Sequence, residues 1–386
     1  MKTIVQLFFS DVSLGIEGGR EKVFAQMSNL AIEHNYKVID ICNGSDNEEK
    51  LFFALNKKVE FHNLRLGKIK VPFYKKMIRE IAKAVHLDTK NYVDMHRTKI
   101  LVKHVNNILK DRDIDIILCY EFNSVMVANF LNHTVPKVAM VHSGVEIEFG
   151  QKTKNQIMQA NKIDVYQVLT PNTIQEVRKY LDTRVVCIPN IVSQVDCGTL
   201  VKQAKEKKVI INIGRIVRDK QQHFLIEAFA KIASDLQDEW EIYFYGTEQD
   251  KKYKQEMEYF IKIHGLSNKI FFKGVTTEPL KQMQNADIFG FPSKSESFGL
   301  ALAEAMSVGL PVIGLKNTAA VNELILDGKN GFLCENIDDF TDKLELLMKD
   351  DVLRRQMGLN AHLQIKDYSP NKVWAKWEKL FDELSK

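Results

Sequence analysis

The sequence predicts an α/β protein made of two Rossmann-like domains, each with a parallel sheet covered by helices. Short apolar runs rich in β-branched residues alternate with longer amphipathic runs in both halves of the chain, which is typical of such sheets. The length of 386 residues exceeds what one hydrophobic core usually serves. Hydrophobic residues make up 45% and charged residues 27% of the chain, a balance typical of globular proteins.

Eleven short apolar runs are predicted as strands. Six lie in the first half, at residues 3–9, 37–42, 114–119, 137–142, 165–170 and 185–190, and five in the second, at 208–213, 240–245, 269–272, 288–292 and 311–314. Helices are predicted at 21–34 and 300–307. We therefore expect a first domain over 1–190, a linker over 191–206 and a second domain over 207–367. A last helix, capped by Ser369 and Pro370, covers 368–386 and should pack back across the domains.

Bulk properties exclude several classes of protein. The five cysteines are scattered and form no C-x-x-C pair, which predicts reduced thiols of a cytosolic protein rather than disulfides or a zinc site. The apolar run at 4–9 is too short for a signal sequence or a membrane span. A net charge of +4 does not indicate nucleic-acid binding in a chain of this size.

A basic stretch covers residues 57–90, with ten Lys or Arg residues and three acidic ones. Apolar side chains at 71, 73, 74, 77, 78 and 81 alternate with the basic ones. The pattern fits a helix that lies on an anionic membrane surface or that binds a lipid diphosphate. A solvated helix face is the alternative, and the sequence does not separate the two.

The segment FPSKSESFGLALAEAMSVGLPVIG, residues 291–314, predicts strand, loop, helix, loop and strand. Glu296 lies in the first loop and Glu304 on the helix, so both carboxylates are expected at the carboxyl end of the sheet, where α/β proteins bind ligands. Backbone N–H groups of residues Ser297, Phe298, Gly299 and Leu300 would suit an anionic diphosphate. The alternative is that both glutamates are ordinary solvated residues.

A second cluster follows the strand at 208–213. Gly214 ends that strand, Arg215 comes directly after it, and Lys220 lies five positions later. Two cations above one sheet edge would neutralise a diphosphate leaving group. Solvated loop side chains are again the alternative.

Two features of the first half are less specific. Gly18 and Gly19 follow the first strand but do not complete a G-x-G-x-x-G motif, which disfavours a dinucleotide oxidoreductase. The two glycines indicate either a tight turn or a place where a ligand approaches the backbone closely. His142 ends the strand at 137–142. It is either a hydrogen-bonded structural residue or a residue of the reaction centre.

Together these residues resemble the retaining glycosyltransferases of family 4, the "glycosyl transferases group 1", whose GT-B fold places two Rossmann-like domains across a cleft. The resemblance rests on Glu296 and Glu304 in ESFGLALAEAMSVGLPV, on Arg215 and Lys220 in GRIVRDK, and on segments at 189–192 and 322–333. Paired glycines common in the family are replaced here by Ala319 and Ala320, so the resemblance does not identify the nucleotide-sugar donor.

The resemblance implies a role for each of these residues. The first glutamate would contact the transferred sugar, the second the ribose, and the basic pair the diphosphate of a nucleotide sugar, UDP being the commonest. Gly18, Gly19 and His142 would match the family's glycine loop and cleft histidine. No cofactor and no metal are implied, and the acceptor, on the N-terminal side, would be a glycan or lipid-linked precursor of cell-surface polysaccharide.

Other functions remain open at this stage. Asp113 and Asp115 are spaced like a metal-binding pair of other transferases, but they lie at the start of a buried strand and are interpreted as solvated edge charges. A nucleotide-sugar epimerase would form product without acceptor, and a sugar phosphorylase would depend on phosphate. An inactive glycosyltransferase-like partner subunit would bind no nucleotide.

Overall fold

A computed structural model describes residues 1–9, 18–44, 51–84, 92–196 and 206–385. The chain divides into two compact units, one comprising Met1–Pro189 with Trp374–Lys386 and the other Asn190–Val373. Each contains a parallel sheet with helices, so the predicted α/β class is confirmed. None of the helices in these ranges is long and apolar enough to cross a membrane.

The first unit contains seven strands and seven helices before its C-terminal segment, within the ranges given above. The strands are β1 (Thr3–Phe8), β2 (Lys37–Cys42), β3 (Glu60–Asn63), β4 (Ile116–Cys119), β5 (Lys137–Met140), β6 (Val165–Val168) and β7 (Arg184–Cys187). The helices are α1 (Gly19–Glu33), α2 (Phe73–Ala84), α3 (Tyr92–Leu109), α4 (Phe122–Ala128), α5 (Val145–Phe149), α6 (Lys154–Ala160) and α7 (Pro171–Val177).

The first sheet has the order β3-β2-β1-β4-β5-β6-β7, with every pairing parallel. Strand β1 is buried along its whole length, as expected for a central strand covered on both faces. The order reverses between β1 and β4. Open α/β sheets form a crevice at such a point, beyond the carboxyl ends of the strands.

The second unit continues the alternation of strands and helices. Its strands are β8 (Lys208–Ile213), β9 (Trp240–Tyr245), β10 (Ile270–Gly274), β11 (Ile288–Phe291), β12 (Val312–Leu315) and β13 (Gly331–Cys334). Its helices are α8 (Gln222–Lys231), α9 (Ser234–Gln237), α10 (Lys251–Ile263), α11 (Pro279–Gln284), α12 (Leu300–Ser307), α13 (Ala319–Leu324), α14 (Ile337–Lys349) and α15 (Asp351–Ile365). The sheet order is β10-β9-β8-β11-β12-β13, all parallel, with its reversal between β8 and β11.

Predicted and observed elements differ mainly at strand ends. The predicted strand at 114–119 begins only at Ile116, because the Asp115 carboxylate accepts a hydrogen bond from the backbone N–H of Thr3 at 2.6 Å. This contact makes Asp115 a structural tie to β1. Strands β3 and β13 were not predicted, β3 because its sequence EFHN is polar and partly exposed.

The first part of the predicted linker at 191–206 packs in the second unit. Ile191 and Val192 are buried, and the Val192 N–H donates to the Tyr368 carbonyl at 2.9 Å, so this segment belongs to the second unit. Hydrophobic burial, which the loss of helical periodicity did not reveal, is the physical reason. Residues 197–205 of the predicted linker lie outside the described residues.

The last helix, α16 (Pro370–Leu384), packs on the first unit from Trp374 onward. The Trp374 ring stacks on His34 with centroids 5.1 Å apart, and Arg184 lies 2.5 Å from Glu383. Trp374, Trp377 and Phe381 are buried. This apolar face of the helix is therefore a packing surface.

Candidate functional site

The carboxyl ends of β8 and β11 hold most of the predicted site. These strands are neighbours, with Ile288 paired to Ile210 and Phe289 to Ile211. The chain leaves β8 toward β9 on one side of the sheet and leaves β11 toward β12 on the other. This reversal opens a crevice between the two following loops, the usual ligand position in α/β sheets.

Lys220 and Glu296 meet at this point. The Lys220 Nζ lies 2.5 Å from Glu296 Oε1, and the same oxygen accepts a hydrogen bond from the Ser293 hydroxyl at 2.7 Å. Their side chains are only 19% and 13% exposed, so the interpretation of both as solvated loop residues is wrong. A charge pair so little exposed is held in place by its surroundings.

Backbone contacts fix the two loops to each other. The Lys294 N–H donates to the Asp219 carbonyl at 2.9 Å, and the Thr318 hydroxyl donates to the Ser293 carbonyl at 2.6 Å. Beneath them, the buried Asn212 amide donates to the Gly290 carbonyl at 2.8 Å. The Lys294–Asp219 contact thus joins the loop carrying Lys220 to the loop carrying Glu296, and Thr318 fixes the Glu296 loop to the segment after β12, which orients the site before any ligand binds.

Arg215 has a different partner from the Lys220–Glu296 pair. Its side chain is exposed, and its Nη1 donates to the Gln249 side chain at 3.0 Å. Next to it the backbone of Gly246 passes so close that a Cβ there would lie 2.1 Å from the Gly214 carbonyl oxygen. The structure therefore brings Lys220 to Glu296, whereas Arg215 stands at the rim beside the loop after β9.

Gly299 and Leu300 of the predicted anion site lie at the start of α12, whereas Ser297 and Phe298 precede its N-cap. Gly299 is the N-cap residue with φ +81°, a left-handed conformation that favours glycine. The first N–H groups of any helix lack partners within the helix, and the helix dipole adds positive potential there. Phe298 and Gly299 are buried, while Ser297 and Leu300 are half-buried.

Glu304 occupies the second turn of α12 and is only 4% exposed. A glutamate is almost never fully buried without a partner or a function. The solvated interpretation is therefore wrong for Glu304 as well. Its neighbours in the helix are the small apolar residues that the sequence showed, so the carboxylate is held on an otherwise apolar element.

In the first unit, the glycine loop is seen only in part. Residues 10–17 lie outside the described residues, Gly18 is the N-cap of α1, and Gly19 is its first residue. Gly18 has φ −171°, which any residue adopts, and a Cβ on Gly19 would meet nothing within 4 Å. The backbone conformation alone does not require glycine at either position, whereas the space above Gly19 is open.

His142 follows β5 at the carboxyl edge of the first sheet. Its ring stacks on Tyr120 with centroids 5.6 Å apart, and its Nε2 is buried without a hydrogen-bond partner among the residues described. Burial lowers the pKa of His142 to about 3, and the positive charge of Arg20 acts in the same direction. The imidazole is therefore neutral at pH 7, with one ring nitrogen available.

Glu121, which the sequence analysis missed, lies one strand away, two residues after the end of β4 and at the N-cap of α4. Its Oε1 accepts hydrogen bonds from the Phe9 N–H, at 2.6 Å, and from the Ser124 hydroxyl, while its Oε2 is buried with no partner in the described part of the chain. Burial raises the pKa of Glu121 to about 7 against the opposing effects of Ser124 and Arg20. An acidic residue shortly after a fully apolar strand was the available signal.

No group of three or more His, Cys, Asp or Glu side chains within the described ranges is arranged to hold a metal ion. Cys119 and Cys334 are free thiols. The loops after β8 and β11 bring Lys220 and Glu296 together, while Arg215 also follows β8 and Glu304 is buried on α12. This set suits a ligand with both anionic and hydroxyl groups.

The architecture is that of the GT-B fold. The structure of a mutant of S. aureus TarM in complex with Fondaparinux, alpha-GlcNAc-glycerol and UDP superposes with a TM-score of 0.78 at 18% identity, covering 99% of this chain and 100% of that one. Residues 201–364, most of the second unit, match the family model of glycosyl transferases group 1. The second unit is therefore similar to the glycosyl transferases of this group over those residues.

Two relatives by sequence agree with this similarity. A protein of Haemophilus influenzae named "Uncharacterized glycosyltransferase" is 24% identical over 380 residues, which are 96% of this chain and 98% of that protein. The poly(ribitol-phosphate) alpha-N-acetylglucosaminyltransferase of Staphylococcus aureus is 29% identical over 294 residues, 73% of this chain. The match covers 58% of the S. aureus protein, little more than half its length.

Proposed function

We propose that this chain is a retaining glycosyltransferase that moves a sugar from a nucleotide-diphosphate sugar, most simply a UDP-sugar, to a glycan or lipid-linked acceptor in cell-surface polysaccharide biosynthesis. The observation that carries the proposal is the Lys220–Glu296 pair at the reversal point of the second sheet, with Glu304 buried on the adjoining helix. A cation, two carboxylates and a helix start are what a nucleotide sugar requires.

Each chemical group of the nucleotide sugar has a proposed counterpart among these residues. Lys220, Arg215 and the N–H groups of 297–300 would bind the diphosphate, since these are the positive groups at the crevice. Glu304 would accept hydrogen bonds from the ribose hydroxyls, and Glu296 from hydroxyls of the transferred sugar. In the first unit, His142, Gly18 and Gly19 are proposed to contact the sugar, and the space above Gly19 is open.

The reaction needs no side-chain nucleophile. The acceptor hydroxyl attacks the anomeric carbon from the face on which the diphosphate leaves, so a new C–O bond forms as the bond to the diphosphate oxygen breaks. The hydroxyl proton passes to that leaving oxygen. Lys220, Arg215 and the start of α12 stabilise the negative charge that develops on the diphosphate, an effect that acts mainly in the transition state.

The same cations supply the positive charge for which other transferases use a metal ion, and on this basis we propose that no metal or other cofactor takes part. UDP is chosen because it is the nucleotide in the TarM complex. The acceptor class follows from the S. aureus relative named for transfer to poly(ribitol-phosphate). We place the activity in the cytoplasm, in peripheral contact with the inner face of the cell membrane through the basic stretch at 57–90.

The test is a transfer assay with UDP-glucose and UDP-N-acetylglucosamine as donors and poly(ribitol-phosphate) or an extracted lipid-linked glycan as acceptor. Proton NMR should show a product whose anomeric configuration equals that of the donor sugar. Inversion would contradict the retaining mechanism. Product without acceptor would indicate an epimerase, dependence on added phosphate a phosphorylase, and absence of nucleotide binding an inactive partner subunit.

A further inference from the structure

Helix α2 exposes its apolar side chains to solvent. Five large apolar residues, between 38% and 79% exposed, lie on it: Phe73, Tyr74, Met77, Ile78 and Ile81. At 100° per residue these positions fall within one face of the helix. A contiguous apolar face on the surface of a soluble protein marks an interaction site, whereas single exposed apolar residues do not.

The opposite side of α2 packs on α3 through a charged residue. Lys75 is half-buried, and its Nζ lies 2.9 Å from the Nδ1 of His96 on α3. Within residues 73–78 it is more buried than either Phe73 or Met77. In an amphipathic helix at the surface of a water-soluble domain the apolar face normally packs inward, so α2 is inverted relative to that arrangement.

The surroundings of α2 are strongly basic. Residues 51–84 contain nine Lys or Arg residues and two acidic ones. Lys76, which is exposed, follows Tyr74 by two positions and flanks the apolar face. Protein–protein interface cores are depleted in lysine, whereas interfacial membrane helices combine lysines with Phe, Tyr and aliphatic residues. Charge and composition therefore fit an anionic lipid surface better than a protein partner.

We propose that α2 is a membrane-docking helix, which lies in the plane of an anionic bilayer surface with its Phe73–Ile81 face among the lipid chains and Lys76 at the headgroups. Tyr74 suits the headgroup level, where aromatic rings with a polar tip concentrate. The inference deepens and rests on the peripheral membrane contact proposed above. It is independent of the donor site in the second unit.

The test measures co-sedimentation of the full chain with two kinds of vesicles, one of phosphatidylcholine alone and one with about a quarter phosphatidylglycerol. The wild type should bind the anionic vesicles at least about tenfold better, and added salt should weaken binding. Phe73→Ser combined with Ile81→Ser should reduce binding by at least about tenfold. Lys76→Glu should reduce it severalfold, and Lys75 is left intact because of its contact with His96.

The matched control is Tyr259→Ser combined with Ile263→Ser, an exposed apolar pair on α10 in the second unit. It should bind vesicles as the wild type does. Equal binding by the Phe73/Ile81 variant and the wild type would overturn the proposal, as would self-association through α2 without vesicle binding. UDP binding, measured in parallel, reports the donor site, so failure of docking and failure of the proposed function are distinguishable.

Discussion

Lys220 Nζ lies 2.5 Å from Glu296 Oε1, although 76 positions separate the two residues in the chain. The contact joins the loop after β8 to the loop after β11 at the reversal point of the second sheet. In this arrangement Glu296 neutralises the cation that the proposed diphosphate needs. The diphosphate and Glu296 therefore compete for Lys220, and the two partners should respond differently to substitution.

Glu296→Gln should leave UDP affinity unchanged or higher, because the neutral amide no longer holds the Lys220 ammonium in an ion pair. Transfer should fall by about 100-fold or more, since the proposed contact with the transferred sugar is lost. Calorimetric titration of UDP and steady-state kcat separate the two effects. A loss of UDP affinity equal to the loss of transfer would contradict the assignment of Glu296 to the sugar.

Glu304→Gln tests the proposed ribose contact. The wild type should bind UDP better than 2′-deoxy-UDP by about 1 kcal/mol or more, and the variant should lose most of this preference. Affinity for both nucleotides is measured by calorimetry. Glu278→Gln, an exposed glutamate paired with Lys281 at 3.2 Å, is the control and should keep the preference. Full retention of the preference in Glu304→Gln would rule out the contact.

Gly299→Ala should weaken UDP binding, because the left-handed φ of +81° at the start of α12 would be strained with a side chain. Gly265→Ala is the matched control, since Gly265 has φ +69° and open space around it but lies two residues after the end of α10. Both variants should lose about 1 kcal/mol of unfolding free energy. Only Gly299→Ala should bind UDP less tightly, and equal affinity in the two variants would contradict the role of this backbone.

Glu121→Gln should change how stability depends on pH. Burial raises the pKa of Glu121 from 4.5 to about 7 in the folded chain, so the folded state holds this proton more tightly than the unfolded state. The free energy of unfolding therefore falls as pH rises from about 4.5 to 7, by roughly 3 kcal/mol at most from this group.

The glutamine variant keeps an acceptor for Phe9 and carries no proton to lose, so its urea unfolding curves should differ less between pH 5 and pH 8 than those of the wild type. Part of the slope remains, because burial also raises the pKa of Asp40 to about 7. An identical slope in variant and wild type would show that Glu121 does not titrate in this range.

The sequence predicted the bounds of several strands and helices more accurately than the side-chain contacts within the candidate site. Strands β8 and β9 and helix α12 match the predicted ranges, because their apolar runs are sharply bounded by charged or turn residues. Periodicity also showed that α2 is amphipathic. It did not show which face is buried, since that depends on α3 and on the pairing of Lys75 with His96.

The positions of Arg215 and Lys220 in the sequence also did not show that their side chains have different partners. Both follow β8, but only Lys220 points to the loop of Glu296, while Arg215 contacts Gln249. Glu121 was missed because a single glutamate after a strand is solvated by default. Its burial arises from Phe9 and Ser124, which the fold brings to it.

The central claim is a nucleotide-sugar site built around Lys220. Titration of UDP into the wild type, Lys220→Ala and Lys231→Ala tests it most directly, with Lys231 as control because it pairs with Asp338 at 2.6 Å on an exposed surface. UDP at about a hundred times its Kd should stabilise the wild type and Lys231→Ala by about 2.7 kcal/mol. Lys220→Ala should lose this stabilisation. Equal UDP binding by all three proteins, or binding by none, would contradict the central claim.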